Sequence, residues 1–337
     1  MTKTSGFGRE VGVVRTQFQK WRTTVAGISA AVLAFGAAAC GSTDENAGAE
    51  GATRPFDTPS GQAQIPVAPK SVVALDQYTY FGLLDVGVHP KATASGYTDS
   101  FAVYPPYAAE YAKAPKVGGS MEIDIEQVGA QAPDLILGNK FLSLEKHKIE
   151  DYQKLAPTVI LGGAPGEPGV AWPQWVVQAA DAVGKKPEAE ALKKQYEDRA
   201  AQIKSTYKDK LSKLKFALIN GGGGKWYLNL DESWGGTILK DLGVQFARAG
   251  VTDKSNNTPE FSIENLDKLN EADVILYQAD YQGKAGPDTQ QIIDLPAYQG
   301  LRAVKAGKSF PTGNFYALHY KAAMAFQDEI EKILKEY

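Results

Sequence analysis

The stretch IDIEQVGAQAPDLIL, residues 123–137, is repeated later in the chain as FSIENLDKLNEADVILY, residues 261–277. Both copies contain an Ile-Glu helix start and an Asp-led apolar run, with one extra residue between them in the second copy. A second matched pair, LLDVGV at 83–88 and LKDLGV at 239–244, precedes these stretches in the same order. Chance likeness between two α/β units explains such ordered pairs poorly, so the repeat predicts two lobes built on one plan.

Short continuous apolar runs mark the predicted strands of both lobes. They are Ser71–Leu75, Asp134–Leu137, Thr158–Leu161, Lys215–Ile219 and Val274–Tyr277. Helix-like segments such as Thr79–Val86 lie between them. Apolar runs of this kind, separated by helices, are typical of parallel strands that are covered on both faces. The sequence therefore predicts an α/β fold with two related Rossmann-like lobes.

A long helix is predicted between the two lobes. Pro187 suits the first turn of a helix that begins near Lys186. Its apolar residues recur at spacings of three and four and form one stripe. They are Leu192, Tyr196, Ala200, Ile203, Tyr207 and Leu211. About 25 residues at about 1.5 Å each give a rod of about 37 Å. We expect a linking helix at 186–212 to join an N-terminal lobe, 65–185, to a C-terminal lobe, 213–337, with a ligand cleft between them.

The N-terminal segment has the pattern of an export signal. Residues 1–22 carry five basic residues and one acid, and the uncharged apolar run 25–39 follows. That run is 15 residues long, whereas a membrane-spanning helix needs about 20. A basic head, a short apolar run and small residues before a cleavage point indicate a signal peptide at 1–39. The alternative, a buried core helix, does not explain the abrupt change in composition at Gly41.

The segment after the signal peptide differs in composition from the rest of the chain. Residues 40–64 are rich in Gly, Ala, Ser, Thr and acids and have no hydrophobic period, which predicts a flexible tether. Without residues 1–39 the chain has 31 basic and 38 acidic residues, a net charge of −7. That balance argues against nucleic-acid binding. Cys40 is the only cysteine, so a disulfide framework is excluded.

These features, in their order along the chain, resemble the class III substrate-binding lipoproteins of ABC importers, in particular those for iron–siderophore complexes. The resemblance covers residues 65–337 and includes LPAYQGLRAVKAGKSF at 295–310. The junction at 37–41, AAACG, resembles the bacterial lipoprotein box, with Ala37 where many members have Leu. This resemblance implies that Cys40 is acylated. Several acyl chains would hold the protein firmly on the outer face of the cell membrane.

The family resemblance also implies a function. Its members capture a ferric siderophore, haem or cobalamin outside the cell and deliver it to an ABC permease and its ATPase, without catalysing a reaction. Their lobes hardly move on binding, because the linker is a helix. By position in the repeat, the glutamates that dock onto permease arginines would be Glu126 and Glu264. The alternative is that each acid stabilises the N-terminus of its own helix. We expect a monomer without a cofactor of its own.

Ligands of α/β folds bind at the carboxyl ends of the strands, so the residues that follow predicted strands are the candidate ligand contacts. They are Tyr78, Tyr80, Tyr97, Asn139, Lys140, Trp172, Lys225, Trp226, Trp234, Tyr281, Tyr316 and His319. Tyr104, Trp175 and Asn314 follow strands too but are not in this set. An aromatic-rich groove is typical of a site for a flat or apolar ligand. For any single aromatic residue, packing in the core is the alternative.

The cations of the chain narrow the class of ligand. After residue 39 the only arginines are Arg54, Arg199, Arg248 and Arg302. None of them directly follows a predicted strand. Ferric catecholates and ferric citrate carry several negative charges, which arginines match bidentately. The sequence therefore favours a neutral or weakly charged ferric hydroxamate as the bound Fe³⁺–siderophore complex.

Other ligands are alternatives. Haem is the next candidate, because tyrosine or histidine can ligate its iron and Tyr316, His319 and Tyr320 are close in sequence. Cobalamin is a further ligand that the family resemblance allows. Direct binding of Zn or Mn is disfavoured, because His89, His147 and His319 have no ligand-like spacing.

An enzyme is also disfavoured. The run GGGGKW at 221–226 is not a phosphate-binding loop, because that motif requires Gly where this chain has Ile219 and Ser or Thr where it has Trp226. The chain has no Gly-x-Ser-x-Gly nucleophile motif. We interpret the glycine run as a turn that lets the backbone approach a ligand.

Overall fold

The computed structural model describes residues 51–58, 61–96, 103–144, 146–162, 172–253 and 255–337. All of them belong to one compact unit, 46–337. The predicted signal peptide, Cys40 and Tyr97 lie outside the described residues. Within the described part of the chain, no helix is both long enough and apolar enough to cross a membrane.

Alternating strands and short helices make up the first half of the described chain. The elements are β1 (Thr53–Thr58), β2 (Gly61–Pro66), β3 (Val72–Ala74), α1 (Gln77–Asp85), β4 (Ala92–Thr93), α2 (Pro105–Lys113), β5 (Gly118–Gly119), β6 (Glu122–Ile123), α3 (Ile125–Ala130), β7 (Leu135–Asn139), α4 (Lys140–Ser143), α5 (Ile149–Gln153), β8 (Thr158–Leu161) and α6 (Trp172–Ala182). Four of the strands form a parallel sheet in the order β4-β3-β7-β8.

The second half follows the same alternation. Its elements are α7 (Lys186–Thr206), α8 (Lys208–Leu211), β9 (Lys215–Gly222), β10 (Lys225–Asn229), α9 (Trp234–Asp241), β11 (Gln245–Phe246), β12 (Glu260–Ser262), a 3₁₀ helix (Ile263–Glu271), β13 (Val274–Gln278), α10 (Pro287–Ile293), α11 (Pro296–Gln299), α12 (Arg302–Lys305), β14 (Ser309–Thr312) and α13 (Tyr320–Lys335). The sheet has the order β12-β10-β9-β13-β14, and β11 also pairs with β9. The strands β11, β9, β13 and β14 are parallel, whereas β10 and β12 are antiparallel to their neighbours.

The repeated stretches occupy equivalent positions in the two sheets. In each copy a short helix leads into a strand, β7 or β13, that pairs in parallel with the first strand of its sheet in chain order, β3 or β9. The aspartates that precede these two strands make equivalent hydrogen bonds. Asp134 accepts a hydrogen bond from the backbone N–H of Ser71 at 2.9 Å, and Asp273 accepts one from that of Lys215 at 2.9 Å. The predicted α/β fold with two related lobes is therefore confirmed.

The shorter matched pair marks two helix ends. Gly87 follows α1 with φ of +76°, and Gly243 follows α9 with φ of +79°. A left-handed residue at this position ends a helix, and glycine adopts it without steric cost. The Gly-Val pair is repeated because both helices must turn back towards a strand.

The prediction that residues 40–64 form a flexible tether is wrong from residue 53 onwards. β1 and β2 form an antiparallel hairpin over residues 53–66. Phe56 is 6% exposed and Ile65 is fully buried, and both belong to the main apolar cluster. Because few other residues of the hairpin face the core, its sequence has no hydrophobic period that could reveal it.

The linking helix consists of two parts. α7 ends at Thr206, and Tyr207 leaves helical geometry with φ of −109° and ψ of 22° before α8 begins. α7 packs against α6 and α13. One apolar cluster contains Tyr196 and Ile203 of this helix, Leu137 of the first sheet and Leu218 of the second. The domain boundaries at 185 and 212 remain predictions.

Two adjacent glycines close a hairpin. Gly223 and Gly224 form the two-residue turn between β9 and β10, with φ of +57° and +75°. Two consecutive positive φ angles are typical of a type I′ hairpin turn, which favours glycine. Chain reversal therefore explains Gly223 and Gly224, whereas Gly221 and Gly222 belong to β9. The role of the run in approaching a ligand stays a prediction.

Candidate functional site

Aromatic side chains from both halves of the chain meet at the carboxyl ends of the strands. Tyr78 follows β3, and its ring centroid is 5.2 Å from that of Trp234 at the start of α9. Trp175 of α6 is 6.0 Å from Trp234, in an edge-to-face arrangement. These three residues form what we call the inter-lobe aromatic cluster. Tyr78 is 4% exposed and Trp175 is 5% exposed, so Trp234, which is half-buried, offers most of the surface that a ligand could contact in this structure.

A glycine makes room for this cluster at the end of β8. Gly162 has φ of +69°. A Cβ atom at this position would lie 2.4 Å from Cε3 of Trp175 and 2.8 Å from Nδ2 of Asn139. Both contacts would be impossible for a larger residue, so Gly162 allows the indole and the Asn139 amide to share this edge of the first sheet.

A second group of rings joins the lobes beside α13. Tyr104, which precedes α2, has its ring centroid 6.2 Å from that of Tyr281 and 5.3 Å from that of His319. Tyr281 follows β13 and is half-buried. Burial raises the pKa of its hydroxyl, so the group is uncharged and can donate a hydrogen bond.

Tyr281 is held by a short polar chain. Its hydroxyl donates to Oδ1 of Asn314 at 2.8 Å. The Asn314 amide donates to the carboxyl of Glu329 at 2.9 Å, and the hydroxyl of Thr312 donates to the same oxygen at 3.0 Å. Burial raises the pKa of Glu329 more than these hydrogen bonds lower it. Gly313 completes the support, since a Cβ there would lie 2.8 Å from the Tyr281 ring.

His319 does not face a cleft. It is 3% exposed, and its Nδ1 is 3.0 Å from Oδ1 of Asp85 at the end of α1. Burial raises the pKa of Asp85, but attraction to His319 and hydrogen bonds from His319, the backbone N–H of Lys321 and the Tyr107 hydroxyl outweigh it. The pKa of Asp85 is therefore below its usual value.

The residues that were predicted to ligate a haem iron are therefore not grouped in a cleft. His319 is turned to Asp85, and Tyr320 is fully buried with its hydroxyl donating to the carbonyl of Pro173 at 2.7 Å. Tyr316 is half-buried with its ring against Phe315. The predicted cluster of iron ligands therefore does not form. Among the described residues, no group of three or more His, Cys, Asp or Glu side chains could hold a metal ion.

Three other predicted ligand contacts are core residues. Trp226 is fully buried, stacks on Phe261 at 4.3 Å, and donates from Nε1 to the carbonyl of Ser262 at 3.1 Å. Tyr80 is 1% exposed. Trp172 is 4% exposed and packs against Tyr196 at 5.4 Å. The sequence rule failed here because these residues belong to the elements that follow the strands, Tyr80 to α1, Trp172 to α6 and Trp226 to β10, and their side chains are buried in the core.

The polar members of the predicted set lie in different surroundings. Asn139, the last residue of β7, is 1% exposed and donates from its backbone N–H to Asp76 at 2.7 Å. Lys140 is exposed at the start of α4. Lys225 is exposed and its Nζ is 2.6 Å from Glu260, so its charge is already paired. Hydrogen bonding to Glu260 raises the pKa of Lys225.

Each of the four arginines after residue 39 is engaged by a carboxylate. The pairs are Arg54–Asp181 at 3.1 Å, Arg199–Asp328 at 2.6 Å, Arg248–Asp231 at 2.7 Å and Arg302–Asp273 at 2.9 Å. These guanidinium groups are partly exposed, and exposed ion pairs of this kind are weak.

The two predicted docking glutamates occupy equivalent exposed positions. Glu126 lies in the first turn of α3 and Glu264 in the first turn of the 3₁₀ helix. The side-chain cap of α3 is Asp124, which accepts from the N–H of Glu126 at 3.0 Å. Glu264 accepts a hydrogen bond from the Ser262 hydroxyl, which lowers its pKa. Capping therefore does not account for Glu126, although an acid in a first turn is favourable anyway.

Two α/β lobes with an aromatic site at their strand ends define a bilobed binding protein. The family model described as "Periplasmic binding protein" matches residues 72–314. The chain belongs to this family, whose members are binding proteins and not enzymes.

Individual relatives are similar over most of the chain. The "probable siderophore-binding lipoprotein YfiY" of Bacillus subtilis is 25% identical over 309 residues, which is 87% of this chain and 92% of that protein. The siderophore periplasmic binding protein from the fuscachelin gene cluster of Thermobifida fusca is 28% identical, with a TM-score of 0.71 over 81% of this chain and 99% of that one. Staphylococcus aureus SirA, solved with staphyloferrin B, shares the fold with a TM-score of 0.68 at 22% identity, covering 84% of this chain and 99% of SirA.

The predicted set omits three residues that the geometry brings to the site. Trp175 contacts Trp234 and Tyr104 contacts Tyr281 across the lobes, and Asn314 accepts a hydrogen bond from Tyr281 within the second lobe. All three follow strands, which is the signal that could have included them. Trp175 and Tyr104 lie more than ten residues after the strands β8 and β4, which obscured this signal, whereas Asn314 comes two residues after β14.

Proposed function

We propose that this protein is a lipid-anchored extracytoplasmic receptor that captures a ferric siderophore and delivers it to an ABC permease for iron uptake. The observation that carries the proposal is the inter-lobe aromatic cluster of Tyr78, Trp175 and Trp234. It lies at the strand ends where ligands of α/β folds bind. The names of the relatives, a siderophore-binding lipoprotein and a siderophore periplasmic binding protein, support iron as the transported element.

A ferric hydroxamate is the ligand class that we favour. A ferric tris-hydroxamate has little net charge and much apolar surface, so rings and a few hydrogen bonds suffice to hold it. A tris-catecholate would require cations. The four arginines are paired with carboxylates, and Lys225 is paired with Glu260.

Tryptophan fluorescence tests the ligand class. The full chain, purified in detergent, is titrated with ferrioxamine B as a linear ferric tris-hydroxamate, a ferric tris-catecholate, haem, cobalamin and Zn²⁺. Saturable quenching by the hydroxamate at the lowest concentration is expected. Trp234→Phe should reduce the quenching, whereas Trp226→Phe, the matched control in the core, should retain it. Tighter binding of the catecholate would contradict the hydroxamate assignment. The absence of quenching by every ferric chelate would contradict the proposed function as a siderophore receptor.

Delivery is assigned to the two exposed glutamates. Opposite charges at two points of an interface fix its orientation and speed encounter. Changing Glu126 and Glu264 to Ala together should leave siderophore affinity unchanged and abolish uptake of radioactive iron by cells. Glu197→Ala, on the linking helix, is the control and should leave both unchanged. Normal uptake by the double variant would refute the docking role.

Membrane attachment is assigned to Cys40. Cells that express Cys40→Ala should yield a protein that is not labelled by radioactive palmitate and is released or remains unprocessed. Cys40→Ser serves as the closest control for size and should behave in the same way. Unchanged lipid labelling in either variant would exclude Cys40 as the anchor.

A further inference from the structure

One buried hydrogen-bond donor at the site has no acceptor among the residues that the structure describes. Trp175 is 5% exposed, and its Nε1 is buried without an acceptor among the described residues. The other two buried tryptophans differ. Nε1 of Trp172, three residues earlier on α6, donates to Oγ1 of Thr237 at 3.1 Å. Nε1 of Trp226 donates to the carbonyl of Ser262 at 3.1 Å. A buried N–H without an acceptor is costly and rare in native proteins.

The missing partner cannot be recovered by reorienting the side chain. Gln77 also has a buried Nε2 without an acceptor, but exchanging its amide N and O would let Nε2 donate to the Ser120 hydroxyl, which lies 2.9 Å from Oε1. An indole has one donor and no acceptor to exchange with it. The acceptor for Trp175 must therefore come from outside the described residues.

The position of Trp175 points to the source of that acceptor. Its indole lies against Gly162 at the end of β8 and against Trp234 of the other lobe. It is therefore at the carboxyl edge of the first sheet and in the inter-lobe aromatic cluster. Nε1 itself is buried in this structure, so a molecule that enters between the lobes reaches it only when the inter-lobe aromatic cluster opens.

We propose that the Trp175 Nε1–H is a specificity-determining donor that is completed by an oxygen of the bound Fe³⁺ chelate. This inference rests on the proposed function and deepens it. The ligand must present an acceptor oxygen, such as a hydroxamate or amide carbonyl, to the first lobe while its apolar part packs on Trp234. A neutral donor of this kind selects for oxygen acceptors without requiring negative charge, unlike an arginine.

Two phenylalanine variants on the same helix provide the first test. Trp175→Phe and Trp172→Phe each replace an indole by a smaller phenyl ring and remove its N–H, but Trp172 already has its acceptor in Thr237. With ferrioxamine B as the probe, Trp175→Phe should weaken binding about tenfold, which corresponds to one lost hydrogen bond of about 1.4 kcal/mol. Trp172→Phe should change it less than twofold. Equal affinities for wild type and Trp175→Phe would overturn the inference.

Nuclear magnetic resonance of the wild-type chain tests the hydrogen bond without a substitution at Trp175. The indole ¹H–¹⁵N signals are assigned with single Phe variants at the other four tryptophans, and Ga³⁺ replaces Fe³⁺ in the same chelator to avoid paramagnetic broadening. The Trp175 signal should move downfield and become protected from exchange on binding, whereas the Trp172 signal should stay in place. A Trp175 signal that is already protected in the free protein and does not move would show an acceptor within the protein and refute the proposal.

These outcomes separate the inference from the function on which it rests. If wild type binds the hydroxamate and the Trp175 signal does not respond, only the inference fails. If wild type binds no ferric chelate of the panel, the proposed function fails and the inference fails with it.

Discussion

Asp85 and His319 join the two halves of the protein through a buried contact, with Oδ1 and Nδ1 3.0 Å apart. Asp85 ends α1 and His319 precedes α13, so the pair connects elements that are 234 residues apart in sequence. Asp85 also accepts from the Tyr107 hydroxyl at 2.8 Å and from the backbone N–H of Lys321 at 3.1 Å. One buried carboxylate thus fixes three segments around the site.

Replacing Asp85 should destabilise the protein strongly. Asp85→Ala leaves His319, the Tyr107 hydroxyl and a backbone N–H without their acceptor, and breaking a buried pair costs about 3–5 kcal/mol. Urea unfolding at pH 7 measures the change. Glu197→Ala, which removes an exposed pair with Lys193, should have a much smaller effect. Similar unfolding midpoints for the two variants would contradict the role assigned to Asp85.

The same carboxylate should contribute to the acid sensitivity of the fold. The pKa of Asp85 is lowered in the folded state, so its stabilisation is present above the unfolded value of about 3.9 and is lost as the pH falls below it. The difference in unfolding free energy between wild type and Asp85→Ala should therefore shrink as the pH falls from about pH 5 towards pH 3. A difference that is independent of pH over this range would contradict the lowered pKa.

Glu329 should show the opposite dependence on pH. Its pKa is raised in the folded state by burial, so the folded protein binds the proton more tightly and loses stability as the pH rises through the interval above about 4.5. Glu329→Gln keeps an acceptor for Asn314 and Thr312 without the charge. It should be more stable relative to wild type at pH 7 than at pH 4 in urea unfolding. Affinity for ferrioxamine B should be retained, because Asn314 still orients Tyr281.

Substitutions at Trp226 and Trp234 should distinguish a residue of the core from a residue of the ligand site. Trp226→Ala removes a fully buried side chain and should cost about 3–5 kcal/mol of stability while leaving the affinity for ferrioxamine B unchanged. Trp234→Ala removes a half-buried ring of the inter-lobe aromatic cluster. It should cost less stability and weaken binding at least tenfold. Titration calorimetry together with urea unfolding measures both quantities. Reduced affinity in Trp226→Ala at full folding would restore its predicted role as a ligand contact.

The sequence predicted the fold well because the fold depends on regular patterns. The repeated Asp134 and Asp273 have the same hydrogen-bonding role in the two sheets, so similar sequence reflects equivalent structure. The hairpin at 53–66 was not predicted from the sequence, because Phe56 and Ile65 are the only buried residues of its two described strands. Two buried residues among the twelve of β1 and β2 give no hydrophobic period that could be detected.

The site was predicted less well, because burial of one aromatic residue depends on distant parts of the chain. Trp226 follows the predicted strand Lys215–Ile219 but lies within β10, where it is covered by Phe261, which comes 35 residues later. His319 also follows a strand, but Asp85 from the other lobe holds it. Trp175 was left out although it reaches the other lobe at Trp234. No local pattern distinguishes a ring that closes the core from one that faces a ligand.

The apolar cluster that contains Tyr196, Leu137 and Leu218 has a thermodynamic consequence. Residues of both sheets and of the linking helix share this one cluster, so neither lobe can lose its packing without exposing apolar side chains of the other. Heating should therefore unfold residues 51–337 in a single calorimetric transition, in spite of the internal duplication. A gene fragment that encodes one lobe alone would be expected to yield aggregates, because apolar side chains that this cluster buries would face water.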